Sequence, residues 1–253
     1  MTLAMGSDDS YDERTGAVVR FPREKFSALT QCDACLQRPH CFGFAAEANA
    51  VASRKRLSKG GTLFRPGDPF TAIYAIRTGS FKTVMTTEDG REQVSACYIR
   101  GETLGFDGLD PGRHASEAIA LEDSEVCILP FPHLAKLARD SERTQRALYR
   151  MLAREIGRER EMMLMLGTMR AEQRVAAFLI DLARRFRDRG YSSTEFVLRM
   201  TRDEIGSHLG LQLETVSRVL SRMQREGLIQ VQGRVVKLLD PGALRKLIAS
   251  DAG

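Results

Sequence analysis

Near Pro130 the sequence changes its period, and that switch constrains the fold more than any other feature. From about Ser58 to Pro130, short runs rich in Thr, Val, Ile, Tyr and Phe are broken by KGG, RPGDP, RTGS, TEDGR, IRGE and DPGRH. Strands of this length, punctuated by turn dipeptides, predict an antiparallel barrel or jelly roll. The clearest hairpin is TVMTTEDGREQVSACYI, turning at Asp89–Gly90. After Pro130 the helical period takes over. Strands first and helices afterwards predict an α+β chain.

On the first long helix, Leu148, Leu152, Ile156, Glu159, Met163 and Leu166 follow one another at spacings of 4, 4, 3, 4 and 3. That is one narrow stripe, with Arg154, Arg158 and Arg160 around it. A stripe this narrow predicts a two-helix seam, and so a homodimer, over a helix that merely lies on the barrel. Glu159 falls inside the seam, where it would meet its symmetry mate. It reads either as a brake on association or as a glutamate tilted out into solvent. A second helix, AEQRVAAFLIDLARRFRDRG, ends at the C-capping Gly190.

The most informative segment is TRDEIGSHLGLQLETVSRVLSRMQREGLI. Thr201 with Glu204 forms a capping box that starts one helix, Gly210 breaks it, and a second helix runs from about Gln212 to Glu226. Ile205, Leu209, Leu211, Val216 and Leu220 supply the face that packs the two together. This is the layout of a helix-turn-helix. Outward on the second helix stand Glu214, Ser217, Arg218 and Arg222. Glutamate accepts from cytosine N4, and arginine pairs with guanine O6 and N7. LIQVQGRVVKLLD then predicts a hairpin turning at Gln232–Gly233, a wing whose Arg234 and Lys237 meet phosphates.

Composition narrows the remainder. Lys+Arg 38 against Asp+Glu 33 gives a net charge of +5, which permits nucleic acid without demanding it. The acidic first residues, MTLAMGSDDSYDERTG, are unlike a signal peptide, and no run of 18 apolar residues could span a membrane. The simplest compartment is the reducing cytoplasm. There, five cysteines argue against a disulfide framework and for a metal or redox site. Cys32, Cys35 and Cys41 form a C-x2-C-x5-C loop, followed by a short helical stretch, FGFAAEANAVASRKRL. A four-iron cluster would need a further thiolate, from Cys97 or Cys127. Zinc, with His40 nearby, is the rival, and the spacing leaves both metals and both cysteines open. There is no Walker loop, no GxGxxG and no catalytic arrangement around the four histidines, so an enzyme is not expected.

GGTLFRPGD, YAIRTGSFK, GETLGFDGL, VCILPF, RRFRDRGYS and TRDEIGSHLGLQLETVSRVLSR together resemble the FNR branch of the cyclic-AMP-receptor superfamily of transcription regulators. The resemblance runs from Cys32 to about Leu239. It implies a β-roll sensor domain, a long dimerisation helix and a C-terminal winged helix-turn-helix. The corresponding boundaries are 1–57 for the cysteine-bearing segment, 58–138 for the roll, 139–170 for the helix and 171–253 for the DNA-binding domain. LETVSRVL matches the family's E-x-x-S-R pattern, which puts base reading on Glu214, Ser217 and Arg218. Ser217 stands where cyclic-AMP receptors have glycine, and TTGAT-type inverted repeats are implied as the target. Gln212 is a weaker N-cap than the Ser or Thr expected there.

The resemblance also bears on the ligand. Phe106 occupies the place of the nucleotide-binding glutamate, and Arg113 is followed by His114 instead of serine, so no cyclic nucleotide is expected. The VC-x-x-PF context chooses Cys127 over Cys97, which implies a [4Fe-4S] cluster on Cys32, Cys35, Cys41 and Cys127. The implied mechanism is an oxygen-responsive one: the cluster promotes dimerisation against Glu159, and oxygen reverses it. Surfaces for RNA polymerase would fall on Gly90 and Arg91, and on Phe186, Tyr191, Ser192 and Phe196, of which the three aromatics could equally pack between domains. Alternatives are a superfamily regulator sensing through zinc or haem, or an iron–sulfur redox protein.

Overall fold

The computed structural model describes residue 51, residues 53–250 and two paired strands near the N-terminus, β1 (Ser10–Tyr11) and β2 (Val18–Val19). The expected jelly roll follows. Its eight strands are β3 (Ser53–Leu57), β4 (Thr62–Phe64), β5 (Ala72–Thr78), β6 (Ser80–Thr86), β7 (Glu92–Ile99), β8 (Thr103–Leu104), β9 (Glu117–Ala120) and β10 (Ser124–Pro130). They form two four-stranded antiparallel sheets, ordered β3-β10-β5-β8 and β4-β9-β6-β7. Apolar side chains from both sheets make the core, in which Ile76, Phe81, Leu104 and Val126 are exposed by no more than 1%. Removing a ring such as that of Phe81 would cost about 3–5 kcal/mol.

The β6–β7 hairpin turns at Thr87–Arg91 with Gly90 at φ 81°, as the Asp89–Gly90 signal predicts. The helical reading of FGFAAEANAVASRKRL is corrected over its last five residues: Ser53–Leu57 is β3, so the roll starts ahead of the expected boundary at 58. Pairing with β10, some seventy positions away, overrides the local preference. As an edge strand it turns Lys55 and Arg56 outward, a charge pattern that discourages edge-to-edge association. The rest of that stretch, 42–50 and 52, lies outside the described residues, as do Cys32, Cys35 and Cys41.

Helix α1 (Phe131–Asp140) closes the roll with Leu134 and Ala138. Ser141 then caps α2 (Glu142–Thr168), a helix of 27 residues, by accepting from the Thr144 amide. After two extended residues comes α3 (Ala171–Arg187). The C-terminal unit adds β11 (Glu195–Val197), α4 (Arg202–Leu209), α5 (Leu213–Arg225), β12 (Ile229–Gln232), β13 (Val235–Leu238) and α6 (Pro241–Ala249). Its sheet has the order β11-β13-β12. Val84, Val94, Ile99 and Leu121 of the roll belong to one apolar cluster with Val175, Leu179, Val216 and Leu220 of the C-terminal unit. The two halves therefore share a core. No helix among the described residues is long and apolar enough to cross a membrane.

Candidate DNA interface and sensor site

The expected capping box forms in full: Thr201 Oγ1 accepts from the Glu204 amide at 3.2 Å, and Glu204 Oε2 accepts from the Thr201 amide at 2.6 Å. Helix α4 ends on Gly210, which is left-handed at φ 63°. The reading from sequence missed Gly206. A Cβ there would sit 2.6 Å from the Leu211 carbonyl, so glycine is what lets the turn fold back against α4. The Leu211 amide donates to the Gly206 carbonyl at 2.8 Å across this close approach. A glycine inside an otherwise periodic helix is the signal that could have found it.

Helix α5 starts at Leu213 after the N-cap Gln212, whose side chain makes no capping bond. Val216, Val219, Leu220 and Met223 are buried, which turns Glu214, Ser217 and Arg218 to the other face. Glu214 and Arg218 are exposed, and Arg218 reaches the Thr215 hydroxyl at 3.4 Å. An acid in the first turn also suits the positive end of the helix dipole. Arg222 is exposed as expected but is not idle. Its guanidinium is paired with Glu172 on α3 and with Glu226, so a phosphate or base would have to displace two carboxylates. The wing forms one residue later than predicted: Gln232 pairs with Val235, leaving Gly233–Arg234 as the two-residue turn. Arg234 is exposed at its tip and touches the Arg199 carbonyl at 3.3 Å.

The roll holds this unit at several points. Lys82 meets Glu204 at 2.8 Å, Glu122 meets Arg199 at 3.0 Å, and the Val94 amide donates to Ser207 Oγ at 2.9 Å. His208 is buried, and burial lowers its pKa, so a neutral ring donates from Nδ1 to the Val94 carbonyl at 3.2 Å. Phe186 and Phe196 stack at 5.6 Å between ring centres, and Phe196 is buried. Of the four residues expected to meet polymerase here, these two are packing residues. Tyr191 is 41% exposed, and Ser192 Oγ accepts from the Thr194 and Glu195 amides. Gly90 and Arg91 are exposed at the β6–β7 tip.

The six-residue stripe on α2 divides. Leu148 is buried and packs, with Met151 and Leu152, in the cluster below α1. Ile156 and Met163 are 54% and 73% exposed, with the exposed Glu159 between them, while Leu166 is partly buried. Partial burial, and then the neighbouring Glu155, raise the Glu159 carboxyl above its ordinary pKa.

Cys127 is buried on the central strand β10, within the apolar cluster that contains Val51, Leu134 and Leu148. Cys97 packs against the core shared by the two halves, and burial pushes its thiol up to about 12, leaving it protonated near neutral pH. In the segment after β8, Asp107 accepts from the Ala115 and Ser116 amides, from Ser116 Oγ and from His114 Nδ1, at 2.8–3.0 Å. The His114 ring is stacked on Phe64, with centres 3.7 Å apart.

Residues 54–141 match the family described as cyclic nucleotide-binding domain, and residues 173–247 match the Crp-like helix-turn-helix domain. The chain is 42% identical over 228 residues to the transcriptional regulatory protein btr of Bordetella pertussis, covering 87% of this chain and 94% of that protein. It is 41% identical over 199 residues to the anaerobic regulatory protein of Pasteurella multocida, covering 79% and 73% of the two chains. Among solved structures, FixK2 of Bradyrhizobium japonicum matches with a TM-score of 0.71 and 32% identity, over 80% of this chain and 98% of that one. With its roll, long helix and winged helix-turn-helix in this order, the chain belongs to the Crp/FNR family of DNA-binding transcription regulators.

Proposed function

We propose that this regulator responds to oxygen, that Cys32, Cys35, Cys41 and Cys127 hold a [4Fe-4S] cluster, and that the chain binds TTGAT-type inverted repeats as a homodimer under anaerobic conditions. The position of Cys127 carries the reading. Val51, ten positions beyond Cys41, lies in the same buried cluster as Cys127. Ten extended residues span at most about 36 Å, so the chain length between Cys41 and Val51 allows the cysteine loop to meet this thiol. Four thiolates suit such a cluster, which when bound supplies an oxygen-labile cross-link between the N-terminal segment and the roll. The chain's own part is mechanical. Cys127, Leu134, Leu148 and their neighbours form one packed group, so a shift at Cys127 is also a shift at the base of α2.

Ile156 and Met163 offer the apolar face on which a second copy would pack, and Glu159 opposes that approach through like charge. The roll serves as a scaffold and not as a nucleotide receptor: Phe106 stands in the place of the nucleotide-binding glutamate, and Asp107 is already engaged by His114 Nδ1, Ser116 and two backbone amides. Glu214, Ser217 and Arg218 read bases, and Arg234 meets phosphate. Gly90, Arg91, Tyr191 and Ser192 are the surfaces offered to RNA polymerase, with Phe186 and Phe196 supporting the last two from beneath. The name of the Pasteurella multocida relative supports the anaerobic role. Purification without oxygen, followed by an absorbance spectrum with iron and sulfide analysis, should find about four of each per chain. Zinc without iron would overturn the assignment.

A further inference from the structure

One carboxylate joins three parts of the molecule. Glu102 lies in the turn between β7 and β8, with its side chain 1% exposed. Its backbone is fixed to the roll: the Glu102 amide donates to the Ile99 carbonyl at 3.0 Å, and its own carbonyl accepts from Ile76 at 2.8 Å. Oε2 accepts from the Ile99 amide at 2.9 Å and from Arg185. Oε1 accepts from Arg185 Nε at 2.9 Å, and from Arg158 and Arg189 at 3.0 Å each. Three guanidinium groups thus converge on one buried anion whose acceptor positions are all used.

Those arginines belong to elements whose relative angle governs DNA recognition. Arg158 sits on α2 between the exposed Ile156 and Met163. Arg185 sits on α3, and Arg189 just beyond its end. The buried face of α3, with Val175, Phe178 and Leu179, packs in one cluster with Val216, Val219 and Leu220 of the recognition helix α5. Between α2 and α3 lie Met169 and Arg170, both extended, at φ −95° and −77°. Arg174 of α3 ties the near side of this joint, donating to the Leu166 and Met169 carbonyls at 2.8 and 2.9 Å, but one tie beside the pivot leaves the angle between the helices to contacts farther out. The Glu102 cluster bridges that joint from outside it, and loss of the carboxylate would leave Arg185 and Arg189 without the buried anion they share.

We propose that Glu102 is a positioning residue for DNA binding: by holding Arg158 of α2 against Arg185 and Arg189 of α3, it sets the angle of the recognition helix to the dimer axis and thereby the half-site spacing the protein accepts. This rests on the reading above of a homodimer on an inverted repeat. Each base pair added between half-sites moves one of them by ~3.4 Å and turns it by ~34°. A rigid joint rejects that change and a loose one tolerates it.

The test measures affinity of the full chain, purified without oxygen, for duplexes whose two TTGAT half-sites are moved apart or together one base pair at a time. Wild type should lose about tenfold per base pair from its best spacing. In Glu102→Gln, which keeps the shape and removes the charge, the loss should fall to about threefold or less, with binding to a single half-site unchanged. Arg158→Met, which leaves both α3 arginines on Glu102, should flatten the profile in the same sense; it decides the matter if Glu102→Gln does not fold by circular dichroism. Folded variants that keep tenfold steps, however much less stable they are, would reduce Glu102 to an ordinary buried ion cluster and overturn the proposal. A wild type with no preferred spacing would instead overturn the dimeric reading, and the proposal with it.

Discussion

Two arginine-bearing regions of this protein use the same side chain in opposite ways. On α5, Arg218 stands exposed beside Glu214, its guanidinium touching one hydroxyl. At the joint between the roll, α2 and α3, Arg158, Arg185 and Arg189 turn inward onto Glu102. What separates them is whether a buried carboxylate lies within reach. A carboxylate removed from water needs charge-assisted partners, and the guanidinium fork supplies them at fixed geometry. Arg222 falls between the two, exposed yet paired with Glu172 and Glu226. Arginine density along the C-terminal half therefore covers two environments, an exposed face of α5 and a buried joint.

The largest expected effect is at the brace. Glu102→Ala removes the carboxylate shared by three guanidinium groups, of which Arg158 keeps Glu155 and Arg185 keeps Asp181, and denaturant unfolding should show a loss on the order of 3 kcal/mol. Burial works against the charge on Glu102, but Arg185 and Arg158 outweigh it and bring the carboxyl down from 4.5 to about 2. A depressed carboxyl stabilises the fold fully above about pH 4.5, and the contribution fades as pH falls towards 2. The variant's unfolding should accordingly depend less on pH in that window than wild type's.

Next comes Gly206→Ala. It forces a methyl group against the Leu211 carbonyl and should cost about 1–3 kcal/mol, with DNA affinity falling in parallel. A variant as stable as wild type would show that the close approach is dispensable. The smallest effects are on the reader itself. Arg218→Ala should weaken specific DNA binding by about 1–3 kcal/mol in a gel shift while moving stability by no more than about 0.5 kcal/mol. Arg222→Ala should change DNA affinity less, and stability by roughly 0.2–1 kcal/mol, because its partners are surface carboxylates. Equal losses of affinity at the two positions would break the distinction drawn here.

The features legible in sequence were those decided within a few residues. The Thr201–Glu204 box, the Gly210 stop and the β6–β7 hairpin each depend on neighbours three or four positions away, and each formed where expected. The features that were not legible involve distant partners. Ser53–Leu57 is basic enough to extend a helix, but β10 recruits it as an edge strand. The stripe from Leu148 to Leu166 has one period in sequence and two environments in the fold, because the roll and α1 cover its first end. Phe186 and Phe196 look like exposed aromatics until their stacking is seen.

The order of parts, the ends of the helices and the chemical identity of the DNA-reading face are properties of local sequence. They arise from backbone capping, turn geometry and periodicity, whose energies act over one or two turns of chain. Tertiary structure decided which arginines face water and which are captured, where α2 is covered, and that the roll and the reader share one core. Those outcomes depend on desolvation, which exists only once distant segments have packed, and Glu102 with its three arginines is the plainest case.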